Sequence, residues 1–584
     1  MNFELLPNEI LLDVFHYFNG IDLLRAFYGL NTRFNILLYN QFQNYCFKFD
    51  AVSKRDFDMM CQQHLPFIAH RIISLYLSDN DETPEQINLF LSYTSSFNQF
   101  TQLRSLSVKD FRSYETLIKI IDECHHLSNL THLSVDSRVF RNHQANFQLF
   151  INNIWNLPKL IYFNVATTFT RSKIFRKPKT ISSSLQSVSI RIYHFQLNEI
   201  NRLFKCTPHL SRLYVDLDCF IDDDYTPSTF STLTDLSLRV YNVSNIAIMK
   251  FLQNTPNLCR LNINLEARLI DGHQWKQIIC NYLPKLKVFR LKMKESPIYK
   301  QNIEERTDEL INSFRNSFWI NEHQWLVRCF IQKGTIYLHT LSEIFSYSKN
   351  RFPHSLKSND LHYDHQEFYN KITTIYDERL FRQPVPSHIR LANIKELHIE
   401  LPINDQFWSI VPNLNQLNSL RVLSFADNFQ SQMQALLDRA PNLDSLGICQ
   451  NALLPLQISL FQYTNASIRR LYLRDCNYFN EDECIRLCHS PLGIQCEVVF
   501  IRVNNRECIT YLVKNMKNLR SLGIQCEDEK NHKQLSLDEN DNDKYVDEKM
   551  ENEDEVVKWL KDHLPSTCLV FRVPHYFRDI LIWI

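Results

Sequence analysis

Glycine is scarce. The 584 residues contain seven, at positions 20, 29, 272, 334, 447, 493 and 523, and the closest two stand nine positions apart. Phosphate loops of the G-x-G-x-x-G or G-x-x-x-x-G-K kind, and the G-x-S-x-G elbow, are therefore absent. Such loops need glycine for positive φ and for close approach of backbone to phosphate. Kinase, P-loop, dinucleotide-enzyme and serine-hydrolase readings lose their main support. Charge of either sign is not in excess: Lys+Arg and Asp+Glu are both 64. That removes the electrostatic case for nucleic acid or an anionic membrane surface. No run of about 18 apolar residues occurs. Glu4, Glu9 and Asp13 stand where a cationic leader would begin. The sixteen cysteines are scattered, with no C-x-x-C pair. A cytoplasmic or nuclear chain with reduced thiols is expected.

What is present is a folded composition, 44% hydrophobic and 22% charged, on a chain too long for one ordinary compact core. A hexapeptide pattern, apolar-x-x-apolar-x-apolar, recurs. It begins at Ile72, Leu103, Leu130, Leu160, Leu185, Leu210, Leu233, Leu258 and Leu286. After a gap it resumes at Ile394, Leu420, Leu443 and Ile468, with weaker copies at Val498, Leu519 and Cys568. The last two apolar positions have period two, so they share one face of a short strand. A helical stretch separates successive copies. In one of them Ser244 is a candidate N-cap, Ile246, Met249 and Leu252 form a stripe, and Pro256 ends the helix. One such unit cannot bury its own apolar face, but a stack shares a continuous core. The predicted class is α/β, with parallel short strands and helices.

Residues 297–392 interrupt the pattern. Trp325, Val327, Cys329 and Ile331 alternate, Ile336 and Leu338 follow, and Gln332-Lys333-Gly334 can turn the chain, so a β-hairpin is expected. Phe318, Trp319 and Trp325 are candidates for a substrate surface, since aromatic rings are enriched at interfaces. The opposing reading is that these rings cap the first block of copies. Residues 527–555 are polar and acidic and read as a disordered loop. A calcium loop at Asp538–Asp543 fails for want of glycine at its sixth position. Three clusters were weighed as metal ligands: Cys484, Cys488 and His489; Cys124, His125 and His126; and His362, Asp364 and His365. Core packing or solvated loop polarity explains each with less, so no metal and no cofactor is expected. No nucleophile has a supporting local motif, and no enzyme activity is expected.

The pattern resembles the leucine-rich-repeat family. The copy IRRLYLRDCNYFNEDECIRLCHSPL is closest to its cysteine-containing subtype, in which the resemblance implies that Cys476 caps backbone groups inside the turn. Residues 6–34, LPNEILLDVFHYFNGIDLLRAFYGLNTRF, resemble the F-box. Leu6, Pro7, Glu9, Ile10, Leu11, Phe15, Phe18, Asp22, Leu23, Leu24, Arg33 and Phe34 fill its positions, with Phe34 where tryptophan is frequent. The F-box resemblance implies docking on the Skp adaptor of a cullin-RING ubiquitin ligase through Leu6, Pro7, Ile10, Leu11, Phe15, Leu23 and Leu24, with a protein substrate held by the repeats. The organisation expected is an F-box at 1–45, a helical linker at 46–71, repeats at 72–296, an insertion at 297–392, repeats at 393–526, the acidic loop at 527–555 and a C-terminal cap at 556–584. The alternative is a leucine-rich-repeat scaffold outside the ubiquitin pathway, whose first helices only cap the core.

Overall fold

Nearly every copy of the hexapeptide supplies one strand. The computed structural model describes the chain except for residues 1–2, 95, 141–143, 170–177, 219–225, 227, 267–268, 297–301, 342–344, 348–353, 361, 363, 378–379, 383–384, 387, 424–429, 450–457, 528–554 and 574–578. The protein is a mixed α/β structure with two long sheets, of thirteen and ten strands among the described residues. Three helices, α1 (Asn8–Phe15), α2 (Gly20–Phe27) and α3 (Thr32–Ile36), precede the first strand. The first sheet opens with β1 (Tyr45–Lys48) and β2 (Ile72–Ser78), which pair parallel. It runs on in parallel to the strand Val288–Glu295.

One row of the register explains the order. Leu75, Leu106, Leu133, Phe163, Val188, Leu213, Leu236, Leu261 and Phe289 are successive partners across the strands, and all are buried. Each is the fourth residue of its copy. The next residue points to the opposite face, where the row reads Tyr76, Ser107, Ser134, Asn164, Ser189 and Tyr214. Helices cover the apolar face, and several of them start at side-chain caps. Ser244 Oγ accepts from Ala247 N at 3.1 Å, and Asn480 forms a capping box with Glu483. The stripe of the Ser244-capped helix is Ala247, Ile248, Phe251 and Leu252. Ile246, expected inside, is exposed, because the helix is phased so that Ala247, Ile248, Phe251 and Leu252 share the buried side.

Two copies are re-registered in the second sheet. Leu420 pairs with Leu397 and Leu446, so it is a fourth residue and the copy starts at Leu417. Val499 pairs with Leu471 and Leu522, which starts that copy at Cys496. The copy at Cys568 is not a parallel unit: Leu569–Arg572 and Ile580–Trp583 close the sheet as antiparallel strands. Cys476 donates to the Ile448 carbonyl at 3.3 Å and so links neighbouring copies.

Val327–Gln332 and Thr335–Thr340 form an antiparallel hairpin turning at Lys333 and Gly334, both at positive φ. Its two faces serve two cores. Val327, Cys329, Ile336 and Leu338 join the core of the first sheet. Phe330 and Tyr337 join that of the second, where Phe330 meets Phe368 at 5.4 Å. The far ends of the sheets meet as well. Trp583, fully buried, packs on Phe57 with centroids 5.0 Å apart and donates to the Val52 carbonyl at 2.9 Å. Lys54 N donates to the Ile584 carbonyl at 2.7 Å. Glu82, in the loop after β2, joins Arg470 at 2.8 Å and Arg520 at 2.6 Å.

Truncating a buried tryptophan costs about 3–5 kcal/mol. Trp583→Ala is therefore expected to lower the urea midpoint by that equivalent and to raise exchange of the Val52–Phe57 amides. A midpoint equal to wild type would show that this junction does not hold the two ends together.

Candidate interaction surfaces

The N-terminal helices divide the residues of their own motif between core and surface. Leu11, Phe15, Leu23 and Leu24 are buried. Phe15 meets Phe27 at 5.1 Å and Phe42 at 5.8 Å, and Phe27 meets Phe34 at 5.4 Å. These side chains hold the three helices together and to the segment entering β1. They do not face outward, which corrects the expectation that all seven adaptor residues form one surface. Gly20 packs against the Phe47 ring, 2.9 Å from where a Cβ would stand. The Asn19 side chain both donates to and accepts from the Lys48 backbone, at 3.1 and 2.9 Å. Arg33 explains its own place in the motif. Its guanidinium donates to the Glu4 carbonyl at 2.6 Å and Asn8 Oδ1 at 2.8 Å, and also to the Leu6 carbonyl, folding the Leu6-Pro7 arm back onto α3.

A second apolar stripe points away from this core. Ile10 is 46% exposed, Tyr17 90% and Leu5 81%; Phe18 is exposed too. Pro7 is exposed and Leu6 half-buried. Ile10, Val14 and Tyr17 stand four and three residues apart, so they lie on one side of α1 and its C-terminal turn.

The aromatic candidates of the hairpin region lie elsewhere. Phe318 and Trp319 are buried and Trp325 is half-buried. Trp319 packs on Phe289 and Phe314 at 5.8 and 4.8 Å, and Trp325 on Phe289 at 5.4 Å. The rings cover the last parallel strand of the first sheet. They are core, not a substrate surface, because Phe289 at the end of the apolar row needs a cover.

The polar face of the second sheet carries a feature that the motif search passed over. His398, Arg421, Gly447, Tyr472, Phe500 and Gly523 are successive partners in one row. Tyr472 and Phe500 stack at 4.9 Å and 4°, and the Arg474 guanidinium lies 4.4 Å over Phe500. A Cβ on Gly523 would come 2.2 Å from the Phe500 ring, so glycine lets that ring lie flat. Beside the stack, Arg421 donates to Asp475 at 2.5 Å and to Cys449 Sγ at 3.3 Å, and the Cys449 thiol donates to Asp475 at 3.2 Å. Burial pushes that thiol up to about 11, so it stays protonated at neutral pH and serves as a donor. Arg421, Gly447, Cys449, Tyr472, Arg474 and Asp475 are among the residues lining a cleft of about 410 Å³, and Phe500 and Gly523 lie beyond its edge. The signal was in the fifth position of each copy. Two of the seven glycines, in LDSLGI and LRSLGI, occupy it.

Among the described residues no three His, Cys, Asp or Glu side chains cluster as a metal site. Cys484 and Cys488 are buried in the core of the second sheet, and the free thiols of Cys484 and Cys508, on neighbouring helices, are hydrogen-bonded. Asp364 caps a helix through Gln366 N. The region of residues 527–555 falls almost wholly outside the described residues. No helix among the described residues is long and apolar enough to cross a membrane. No family model matches the chain, and no curated protein is significantly similar to it.

The loop bearing Glu82 starts at a titrating group. Burial raises the Asp79 carboxyl to about 8, although Oδ1 accepts from Ile87 N at 2.8 Å; Glu85 and Asp110 raise it further, and Arg112 opposes them. The unfolded value is about 3.9. Between those values the native state holds a proton that the unfolded chain has lost, so stability falls as pH rises from about 4 to about 8. Asp79→Asn keeps the acceptor and is expected to flatten that part of the profile, read as urea midpoints across the window. An unchanged slope would assign the titration to another group.

Proposed function

We propose that the chain is a non-catalytic substrate receptor of a Skp-cullin-F-box ubiquitin ligase. On this reading residues 1–45 are an F-box, and the strand-helix units are an irregular leucine-rich-repeat solenoid. The observation that carries it is the exposure of Ile10 on α1, of Tyr17 in the turn after it and of Leu5 in the turn before it. Single exposed apolar residues need no explanation, but several large ones grouped in one short segment do. Of these, Ile10 is one of the residues through which the F-box resemblance implies docking on the adaptor, and Pro7 of the same set is exposed beside it. Such a receptor acts by proximity: holding a protein substrate beside the charged conjugating enzyme raises effective concentration. The chemistry then belongs to other subunits, which agrees with the missing phosphate loops and nucleophile motifs.

The burial of Leu11, Phe15, Leu23 and Leu24 favours a second reading. A scaffold outside the ubiquitin pathway would use the same helices only to cover β1, and it would bind no adaptor.

Leu5→Asp/Ile10→Asp separates the two, since both side chains are exposed and their loss leaves the core intact. Truncation of interface anchors costs about 2 kcal/mol or more, so capture of purified Skp adaptor is expected to fall on the order of 30-fold with an unchanged melting temperature. Capture equal to wild type would overturn the adaptor assignment. Leu11→Asp, by contrast, is expected to unfold the N-terminal helices.

A further inference from the structure

The cleft on the polar face of the second sheet has the donors of an anion site and no side chain at its floor. Gly447 stands between Arg421 and Tyr472 in the row. The atoms nearest to a Cβ there are in the Arg421 side chain, at 3.3 and 3.6 Å, and Tyr472 Cβ at 3.7 Å, all on side chains, and no positive φ demands glycine at this position. Next to this gap, Arg474 is fixed by Asp579 at 3.2 Å through Nη1 and by the Phe500 face. Its Nε and Nη2 are buried without a hydrogen-bond partner among the described residues. Unsatisfied buried donors on a charged group are costly.

The same face already accepts a carboxylate brought from a distance. Glu82 reaches across from the loop after β2 to Arg470 and Arg520, which lie in and just before two strands separated by the strand Val498–Val503. Against the burial that raises it, the bonds from these arginines hold the Glu82 carboxyl below its usual range. Arg520 is itself more than nine-tenths buried, and its Nη1 has no hydrogen-bond partner among the described residues. The Arg421–Asp475 pair beside the gap is roughly half exposed, and pairs so exposed contribute about 0–1 kcal/mol, which leaves Arg421 open to exchange.

The geometry points to an acidic peptide as the ligand of this cleft, with one carboxylate on Arg421, a second on Arg474 where its guanidinium lies over Phe500, and the chain between them laid on Tyr472. Glu82 is the internal counterpart of that contact, made in cis on the adjoining arginines. The inference deepens the receptor reading, on which it rests for its biological role; the binding step itself needs no adaptor.

The test is fluorescence anisotropy of the full chain with a labelled octapeptide rich in Asp and Glu, beside its Asn/Gln counterpart. The acidic peptide is expected to bind and to weaken with added salt, and the amide peptide to bind at least roughly tenfold more weakly. Gly447→Leu fills the floor without a backbone clash, and Arg474→Gln removes the charge. Each is expected to abolish the preference while adaptor capture stays at the wild-type level; the melting temperature of Gly447→Leu is expected to stay there too, and that of Arg474→Gln to fall because Asp579 loses its ion pair. Equal binding of the two peptides overturns the proposal, as does full acidic-peptide binding by Gly447→Leu. Loss of adaptor capture in the Leu5→Asp/Ile10→Asp protein with peptide binding intact would instead separate this site from the N-terminal helices.

Discussion

Everything in this protein depends on one shared row of apolar side chains. No strand-helix unit of some 25 residues can bury its own fourth-position leucine, so each borrows cover from the next. The row from Leu75 to Phe289 is continuous through the parallel strands of the first sheet. Leu397, Leu420, Leu446, Leu471, Val499 and Leu522 repeat it in the second. Such a row has two ends, and each must be covered. The hairpin of residues 327–340 covers one by giving a face to each core. The C-terminal antiparallel strands cover another, with Trp583 lodged on Phe57.

The same constraint explains the polar face. Alternation along a strand leaves the fifth position of each copy free of the core, and there the chain places serine, asparagine, tyrosine, arginine and glycine. In the first sheet that face is rich in serine. In the second it gathers Arg421, Arg470 and Arg474 around the Tyr472–Phe500 stack. Each of these arginines meets a carboxylate of the chain itself, Arg421 at Asp475, Arg470 at Asp444 and Glu82, and Arg474 at Asp579.

Much of the fold was legible in the sequence because period-two apolar pairs at regular spacing report burial directly. The α/β class, the Ser244 cap and the turn at Lys333-Gly334 all follow from local chemistry. Errors arose where several apolar residues competed for one position. LNSLRVL offers two frames three residues apart, and only pairing with Leu397 and Leu446 selects the frame starting at Leu417. Ile246 and Ile248 compete in the same way, and the helix phase decides. Aromatic density misled at Phe318, Trp319 and Trp325, because a ring that covers the end of a sheet looks in sequence like one offered to a partner. The cleft was hidden for a different reason. Its residues come from four strands about 25 positions apart, and no local motif joins them.

At the N-terminus the motif mixes two kinds of residue that the sequence cannot sort. Leu11 and Phe15 build the helical unit, while Ile10 and Tyr17 sit outside it, and both kinds are simply apolar. The receptor reading stands on the outer set being covered by a second protein. Hydrogen–deuterium exchange of the full chain with and without purified Skp adaptor addresses that directly. Slowed exchange confined to residues 3–18 and the adjoining helices is the expected result; exchange unchanged by the adaptor, or slowed only on the strands, would contradict it.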